Sequence, residues 1–260
     1  LMRLEGIGAV TATAIIAGNI KSGVTILGET GTLEGGWGES IITDGLVLSL
    51  NGLDFTNSPQ SASWNDRSAS ENDATAVNFG YTSGSGSDGA GNVVFDGSND
   101  YFTLDPSLLP SGNAKRTYEA YVYVAARNFQ TPLLDSGEHD VKKAALISLG
   151  KSNIYIGQIM FSTWGTDIYF NHVLQIAEWQ HIAIVYNQTD IRLYVNGLLQ
   201  QTVSLTSINT GITTAQIGRF SVGGDHTYAS IKTKVFRIYN TELSADNVAN
   251  NYIATILHNT

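Results

Sequence analysis

A run of strand-like patterns in the second half of the sequence restricts the possible folds of this chain more strongly than any other stretch. Two such patterns, 179–186 and 191–195, are separated by a short polar turn, and a third pattern follows at 198–205. The dipeptide Asn196-Gly197 joins the second to the third, and both residues tolerate the positive φ that a type I′ turn requires. The segment therefore predicts three consecutive antiparallel strands.

The middle strand of this segment indicates which way its side chains point. Ile191, Leu193 and Val195 alternate with Arg192 and Tyr194. Because successive side chains of a strand lie on opposite faces, the aliphatic residues should face a core, and the other two should face solvent. The alternation predicts a sheet with one buried face.

Length and composition are consistent with one large β domain and a small additional segment. The chain has 260 residues, of which 42% are hydrophobic and 14% are charged. Strand patterns recur between turn signals from about residue 44 onward, whereas residues 1–40 hold only short patterns separated by glycines. We therefore predict an all-β sandwich over residues 41–260, preceded by a separate segment at residues 1–40.

Six motifs follow one another in an order that resembles laminin-G-like domains, the jelly rolls of the concanavalin A-like group. They are the strand 44–50, the W-x-D-x-S loop 64–68, the V-F-D-G-x-N-D-Y hairpin 94–101, the strand 118–123, the W-x-H…L-Y-V-N-G pair 179–197, and the closing strand 234–244. The resemblance implies a two-sheet antiparallel jelly roll with Trp64 and Trp179 in its core. Animal laminin-G modules usually carry a disulfide and this chain has no cysteine, so a microbial or viral source is favoured.

Residues 1–40 resemble a short motif of bacteriophage tail, fibre and baseplate-type proteins. The matching residues are Ala14, Ile15, Gly18, Gly23, Val24, Ile26, Gly28, Gly31 and Thr32. The resemblance implies an attachment or oligomerisation segment. Its apolar contacts would be Ile15, Ile20, Val24, Ile26 and Leu33. A flexible glycine-rich linker is the alternative.

The end of the chain predicts a short helix after the closing strand. Ser244 can act as the N-cap, and Asp246 in the first turn complements the helix dipole. Val248, Tyr252 and Ile256 recur at i, i+4 and i+8, which gives one apolar stripe. We expect this stripe to pack on the sandwich.

Charge and cysteine content exclude several classes of function. The formal net charge is −9, and a surface of this sign repels phosphate backbones, so nucleic-acid binding is not expected. Without cysteine there is no disulfide framework and no thiolate metal site. We find no apolar run long enough for a membrane span.

Two loops supply the candidate ligand-binding residues. Trp164 lies in a short loop close to Asp167, and an aromatic ring beside Asp or Asn is a common way to hold a sugar. Asp135, His139 and Asp140 lie in a second, acidic loop. We predict that these four residues contact a glycan, such as one on a host surface. A place in the core is the alternative for Trp164.

The acidic loop is also a candidate calcium site. Ca²⁺ prefers oxygen ligands, many laminin-G-like domains bind one such ion at a rim, and Asp135, Glu138 and Asp140 supply carboxylates. The alternative for this loop is a solvated turn without a metal. For a second candidate pair, Asp96 and Asp100, we favour turn formation, because Asp side chains bond to their own backbone.

No pattern in the sequence indicates a catalytic centre. Jelly-roll glucanases carry E-x-D-x-x-E on one strand, and the nearest approach, Glu71 with Asp73, lacks the third acid. The chain also lacks the G-x-S-x-G nucleophile elbow. His181, at the W-x-H position, should pack within its strand and donate one structural hydrogen bond. We predict a protein without enzymatic activity, with an unusual glycoside hydrolase as the alternative.

These features predict a virion structural protein of the phage tail-fibre, head-fibre or decoration type. Residues 1–40 would bind other virion proteins, and the jelly roll would face the exterior for host attachment. By analogy with fibres, which are often trimers, we expect a homo-oligomer. The alternative is a secreted bacterial carbohydrate-binding module or adhesin fragment.

Overall fold

The computed structural model describes residues 40–126, 130–151, 155–222 and 225–258, together with the backbone of two short strands before them. Those strands, β1 (Thr25–Ile26) and β2 (Glu29–Thr30), pair in antiparallel fashion. Of the predicted attachment residues, Ile15, Ile20, Val24 and Leu33 lie outside the described residues, and only the backbone of Ile26 is described. The predicted attachment segment therefore stays a prediction.

The remaining described elements are strands, and one helix follows the last strand. In chain order they are β3 (Leu46–Asn51), β4 (Ser63–Trp64), β5 (Ala74–Val77), β6 (Gly86–Ser87), β7 (Val93–Asp96), β8 (Tyr101–Thr103), β9 (Arg116–Tyr123), β10 (Gln130–Gly137), β11 (Ala144–Lys151), β12 (Tyr155–Ser162), β13 (Asp167–Val173), β14 (Trp179–Tyr186), β15 (Asp190–Val195), β16 (Leu198–Ser204), β17 (Thr214–Ile217), β18 (Arg219–Val222), β19 (Asp225–Tyr228), β20 (Ser230–Tyr239) and α1 (Ala245–His258). Short 3₁₀ turns lie at Gly52–Asp54 and Pro106–Leu108.

Two antiparallel sheets form a sandwich, as the sequence predicted. The first sheet has the order β13-β12-β11-β10-β17-β8-β5-β4, and the second has the order β16-β15-β14-β9-β20-β7-β6. Strand β3 also belongs to the second sheet, because it pairs with the last residues of β20 while β7 pairs with the first residues. The hairpin β18-β19 stands apart from both sheets.

The inner faces of the two sheets enclose the main apolar core. Its side chains come from both sheets and from the loops that join them. Members that are at most 2% exposed include Leu48, Phe55, Trp64, Phe102, Ile147, Phe161, Ile184, Leu193 and Phe236. Burial of apolar surface on this scale is the main stabilising term for the sandwich.

The three predicted strands are confirmed as β14, β15 and β16. Asn196 and Gly197 have φ values of 50° and 77°, as a type I′ turn needs. The expectation for Tyr194 is wrong, because the ring is only 3% exposed and packs in a second apolar cluster that includes Val248 of α1. Helix α1 covers this part of the sheet, which the two-residue alternation could not reveal.

The motif at 94–101 is not a hairpin within one sheet. Its two strands lie in different sheets, β7 in the second and β8 in the first, so the turn between them crosses the sandwich. Asp96 Oδ1 accepts hydrogen bonds from the backbone N–H groups of Ser98 and Asn99, at 2.7 and 3.3 Å. Asp100 is fully buried and accepts from Ser85 Oγ at 2.9 Å. Both carboxylates therefore stabilise the turn, in agreement with the favoured interpretation.

The predicted C-terminal helix is present, and its cap is confirmed. Ser244 Oγ accepts a hydrogen bond from the backbone N–H of Asn247 at 3.1 Å. The apolar stripe is only partly right: Val248 is buried, whereas Tyr252 and Ile256 are partly exposed. The rest of the buried face consists of Asn251, Ala254 and Thr255.

A polar cluster beneath α1 explains why this buried face is not apolar. Glu119 of β9 is fully buried, and Asn251 Nδ2 donates to both of its carboxylate oxygens, at 3.1 and 3.0 Å. Arg237 Nη1 lies 3.5 Å from Glu119 Oε2 and donates to Thr255 Oγ1 at 3.0 Å. Burial alone would raise the pKa of Glu119, but His181, Arg237 and Asn251 lower it. The cluster joins the helix to the second sheet.

His181 lies in this cluster instead of in the apolar core. It is fully buried, its Nε2 is 3.8 Å from Glu119 Oε1, and its ring centroid is 5.8 Å from that of Tyr252. Among the described residues, neither ring nitrogen has a hydrogen-bond partner. The predicted structural hydrogen bond of the ring is therefore not observed.

The two motif tryptophans have different environments. Trp64 is fully buried and its Nε1 donates to Asn51 O at 2.6 Å, so its predicted place in the core is confirmed. Trp179 is not in the core, because it lies partly exposed against Tyr121 and Tyr123, with Lys234 Nζ 5.2 Å from its ring. Within the part of the chain that the structure describes, no helix combines the length and apolar character that crossing a membrane would require.

Candidate functional site

The first sheet carries an open cleft on its outer face, opposite the core. In β11 and β12, Ala145, Ile147 and Ile159 point into the core, whereas Leu146 and Met160 between them point outward and pack together. Such alternation is the normal consequence of strand geometry. Leu146 and Met160 are only 5% and 1% exposed, so they form a nearly covered apolar floor. Ligand sites commonly combine such a lining with a few polar groups.

The hairpin β18-β19 forms one side of this cleft. Phe220 of β18 is buried against the outward side chains of β11 and β12. The backbone N–H of Ser221 donates to Asp135 Oδ2 of β10 at 3.2 Å, which fixes the hairpin to the sheet. The cleft has a volume of about 540 Å³. Its lining includes Gln130, Leu146, Met160, Trp164, Phe220 and Thr227.

Trp164 lies at the loop between β12 and β13, on the opposite side of the cleft from the hairpin. Its φ is 58°, in the left-handed region that a residue of this size seldom adopts. Two hydrogen bonds hold the backbone there: Trp164 N donates to Ser162 Oγ at 3.2 Å, and Lys142 N donates to Trp164 O at 3.0 Å. The indole is partly exposed and lines the cleft, so the alternative of a core position does not apply.

His139 stacks on Trp164, and Asp135 holds His139 in place. The imidazole stacks on the indole with ring centroids 4.7 Å apart and an interplanar angle of 11°. His139 Nε2 lies 2.9 Å from Asp135 Oδ1, and Asp135 is fully buried. Burial raises the pKa of Asp135, although His139 and the N–H of Ser221 act in the opposite direction. The structure therefore brings three of the four predicted ligand-binding residues together.

Asp140 is not part of this group, and the predicted calcium ligands do not assemble. Asp140 and Glu138 each pair with Lys143 Nζ at 3.1 Å, while the carboxylate of Asp135 is held by His139 and Ser221. Among the described residues, no group of three or more His, Asp or Glu side chains is placed to hold a metal ion. Lys143 therefore holds Glu138 and Asp140 in an ion-paired turn.

The carboxylates considered for glycoside hydrolysis lie away from the cleft. Glu71 is exposed in a turn with a φ of 53°. Asp73 Oδ1 accepts a hydrogen bond from the backbone N–H of Asp66 at 2.7 Å, so it organises the loop next to β4 and β5. Neither residue lines the cleft beside Trp164.

Sequence reasoning missed most of the residues that line the cleft. Leu146 and Met160 belong to apolar runs in which every residue could face the core, and Phe220 is a single aromatic residue between Arg219 and Ser221. Gln130 and Thr227 carried no signal. The usable clue was the continuous apolar pattern of β11 and β12, which indicates strands covered on both faces.

Comparison with known proteins identifies the fold family. Residues 96–249 match the Laminin_G_3 family of the concanavalin A-like lectin/glucanases superfamily. The chain belongs to this family. No curated protein matches the sequence of this laminin-G-like domain.

Several solved structures share the fold of the domain at low sequence identity. Trypanosoma rangeli sialidase in complex with 2,3-difluorosialic acid has a TM-score of 0.60 and 17% identity, over 90% of this chain and 35% of the sialidase. Domain 4 of AbnA, an extracellular arabinanase from Geobacillus stearothermophilus, in complex with arabinotriose, has a TM-score of 0.54 and 14% identity, over 81% of this chain and 100% of that domain. The Botulinum neurotoxin serotype G binding domain has a TM-score of 0.52 and 16% identity, over 80% of this chain and 50% of that chain.

These similarities establish the fold and not the activity. This chain spans 34% of one sialidase structure and 52% of the binding domain of Paraclostridial Mosquitocidal Protein 1. The similar structures include both binding domains and a glycosidase. Function on a shared fold depends on the residues of the individual site, which here is the cleft.

Proposed function

We propose that this laminin-G-like domain is a non-enzymatic glycan-binding module that holds a sugar against Trp164. The observation that carries the proposal is the position of this ring. It is a partly exposed tryptophan at the side of an open cleft whose floor is apolar and whose rim is polar. Ligand sites commonly combine an apolar lining with a few placed polar groups.

The chemistry of the cleft suits a sugar. One side of a sugar ring presents C–H groups, which pack well on an aromatic face, and its edges present hydroxyl groups. His139 covers one face of Trp164, so the sugar would lie against the remaining surface of the indole. Ser162, Asp167, Gln130 and Thr227 line the same cleft and carry the hydrogen-bonding groups for hydroxyls.

We also propose that the module is displayed on a bacteriophage particle, as a tail-fibre, head-fibre or decoration protein. The support is the resemblance of residues 1–40 to phage attachment motifs, with Ile15, Ile20, Val24, Ile26 and Leu33 as the attaching residues. The glycan would then be one on the host surface, and binding through several copies would raise the avidity of the particle.

A secreted carbohydrate-binding module or adhesin is the second candidate. It is favoured by the likeness to domain 4 of AbnA, all of which is covered and which belongs to an extracellular arabinanase. Both candidates use the same cleft and differ only in what carries the module. Mass spectrometry of purified particles separates them, because only the first requires the chain to be present in virions.

A glycan array tests the binding function. The full chain should bind one group of glycans, and Trp164→Ala should lose this binding while keeping the melting temperature of the wild type within a few degrees. Trp179→Ala is the matched control, because Trp179 is also partly exposed but lies on the second sheet. Binding that survives Trp164→Ala, or that Trp179→Ala removes equally, would refute the assignment to this cleft.

A hydrolysis assay tests the claim that the module is not an enzyme. The glycans bound on the array are incubated with the wild type, and the release of reducing sugar is measured. We expect none. Release that Glu71→Gln abolishes would favour the glycosidase alternative instead.

A further inference from the structure

A second depression lies between the hairpin β18-β19 and the turn that connects β7 to β8. It has a volume of about 450 Å³. His226 and Tyr228 of β19 form its aromatic side, and the turn residues Gly97 and Ser98 form the opposite side. His226 is exposed and Tyr228 is partly exposed, so both rings are accessible from solvent.

The two depressions adjoin each other. Gln130 and Thr227 line both of them, so these two side chains form the boundary between the Trp164 end and the Tyr228 end. Both are partly exposed and carry hydrogen-bonding groups. A ligand that crosses the boundary would contact them without displacing any buried apolar group.

Tyr228 is the aromatic residue on which a sugar could pack in the second depression. The neighbouring Tyr101 is already covered, because the guanidinium of Arg219 lies 4.1 Å from its ring centroid. Tyr228 packs beside Tyr101, with ring centroids 6.3 Å apart, and still lines the depression. Tyr101 and Arg219 therefore support Tyr228, much as His139 supports Trp164.

The separation of the two ends excludes a single sugar as the occupant of both. Trp164 follows β12, Tyr101 lies in β8, and the sheet order places β11, β10 and β17 between them. Neighbouring strands are about 4.8 Å apart, so four spacings correspond to about 19 Å. Only a chain of several sugars reaches from one end to the other.

The charges around the depressions indicate a neutral ligand. Among the described residues that line them, none is Lys or Arg, whereas the exposed Asp167 lies at the Trp164 end. The whole chain has a formal net charge of −9. A carboxylate-bearing sugar would therefore meet no Lys or Arg among these lining residues and would approach a protein of its own charge sign, which disfavours binding.

We infer that the ligand is a neutral, linear oligosaccharide of several sugar units, which packs on Trp164 at one end and on Tyr228 at the other. This inference rests on the proposed glycan-binding function and adds the length and charge of the ligand. Gln130 and Thr227 would hydrogen-bond the middle of the chain. Tyr228 would then recognise length, whereas Trp164 would be needed for any binding.

Titration calorimetry with oligosaccharides of defined length tests the inference. The probes are neutral linear gluco-, manno-, xylo- and arabino-oligosaccharides of one to six units, and a uronate oligosaccharide serves as the acidic probe. In the wild type, the affinity for the best neutral series should increase at least tenfold between two and four or five units. The uronate probe should bind at least tenfold more weakly than the neutral probe of equal length.

Two tyrosine variants locate the second end. Tyr228→Ala should weaken binding of the long probe about three- to tenfold, which corresponds to the loss of one aromatic contact, and should leave the two-unit probe unchanged. Tyr123→Ala on the second sheet is the matched control and should change neither. Thermal melting of each variant checks that the fold is kept.

The outcomes separate this inference from the proposed function. If no probe of any length binds, or if Trp164→Ala binds like the wild type, the glycan-binding function itself fails. If Trp164→Ala loses binding but affinity does not depend on length, or Tyr228→Ala has no effect on long probes, only the inference fails. A uronate probe that binds as tightly as the neutral one would refute the prediction that the ligand is neutral.

Discussion

The polar cluster beneath α1 makes a quantitative prediction for Glu119→Gln. Glu119 is fully buried, and the Arg237 side chain beside it is only 5% exposed. The substitution keeps the shape of the side chain but leaves a buried guanidinium without its carboxylate. Breaking a buried ion pair by removing one partner typically costs about 3–5 kcal/mol. For a domain of this size, that cost lowers the melting temperature by about 6–20 °C.

A matched surface substitution and a double-mutant cycle show whether the buried pair is the cause. Glu242 also pairs with two cations, Lys115 and Arg192, but its side chain is 24% exposed. Glu242→Gln should therefore cost less than about 1 kcal/mol. Combining Glu119→Gln with Arg237→Met removes both charges, so the double variant should be at least about 2 kcal/mol more stable than the sum of the single effects predicts.

Urea denaturation followed by circular dichroism measures these free energies, and its pH dependence gives a second check. The pKa of Glu119 is lowered in the folded protein, so its stabilising effect is present above the usual pKa of about 4.5 and is lost as the pH falls. The difference in the free energy of unfolding between wild type and Glu119→Gln should therefore become smaller as the pH falls below about 4.5. A loss below 1 kcal/mol at pH 7, or additivity in the cycle, would refute the argument that this cluster carries a strong charge pair.

Three further predictions concern stability at other positions. Burial raises the pKa of Asp100 to about 6, so the folded state binds a proton more tightly than the unfolded state. The free energy of unfolding should therefore fall by at most about 3 kcal/mol as the pH rises from about 4 to 6. The melting temperature of Asp100→Asn should lack this pH dependence. Ser244→Ala removes the cap of α1 and should cost about 1 kcal/mol in urea denaturation, whereas Ser244→Asp should not. Gly137 has a φ of 102°, and a Cβ there would overlap the Lys143 carbonyl. Gly137→Ala should therefore lower the melting temperature. It should also weaken glycan binding on the array, because it shifts the loop that carries His139. Unchanged melting and binding would contradict this account of the loop.

The strands and turns with local signals could be predicted from the sequence. The segment at 179–205 became β14, β15 and β16, because an alternating pattern and an Asn-Gly turn act over neighbouring residues. Ser244 predicted the start of α1 for the same reason, since a cap contacts only the first turn. These features depend on residues close in sequence and need no knowledge of the rest of the fold.

Errors arose where a distant element decides the environment. Tyr194 alternates with core residues, yet α1 covers it from the side that should have faced solvent. The turn at 96–100 looks like a hairpin, but Asp100 contacts Ser85 from another part of the chain and the two strands join different sheets. In both places the local pattern was correct, but a contact with a residue distant in sequence determined the environment of the side chain.

The assembly of the candidate site could not be predicted either, because its residues come from distant positions in the sequence. The sequence places Trp164 in one predicted loop and His139 with Asp135 in another, and nothing in their spacing shows that the indole and the imidazole stack. What joins them is the pairing of β11 with both β10 and β12, which places the loop after β10 beside the loop after β12. The other side of the cleft depends on the hairpin β18-β19, which is attached by Ser221 to Asp135. A buried Asp135 therefore holds both sides of the cleft, one through His139 and one through the hairpin, and this makes its carboxylate more important to the shape of the site than any direct contact with a sugar.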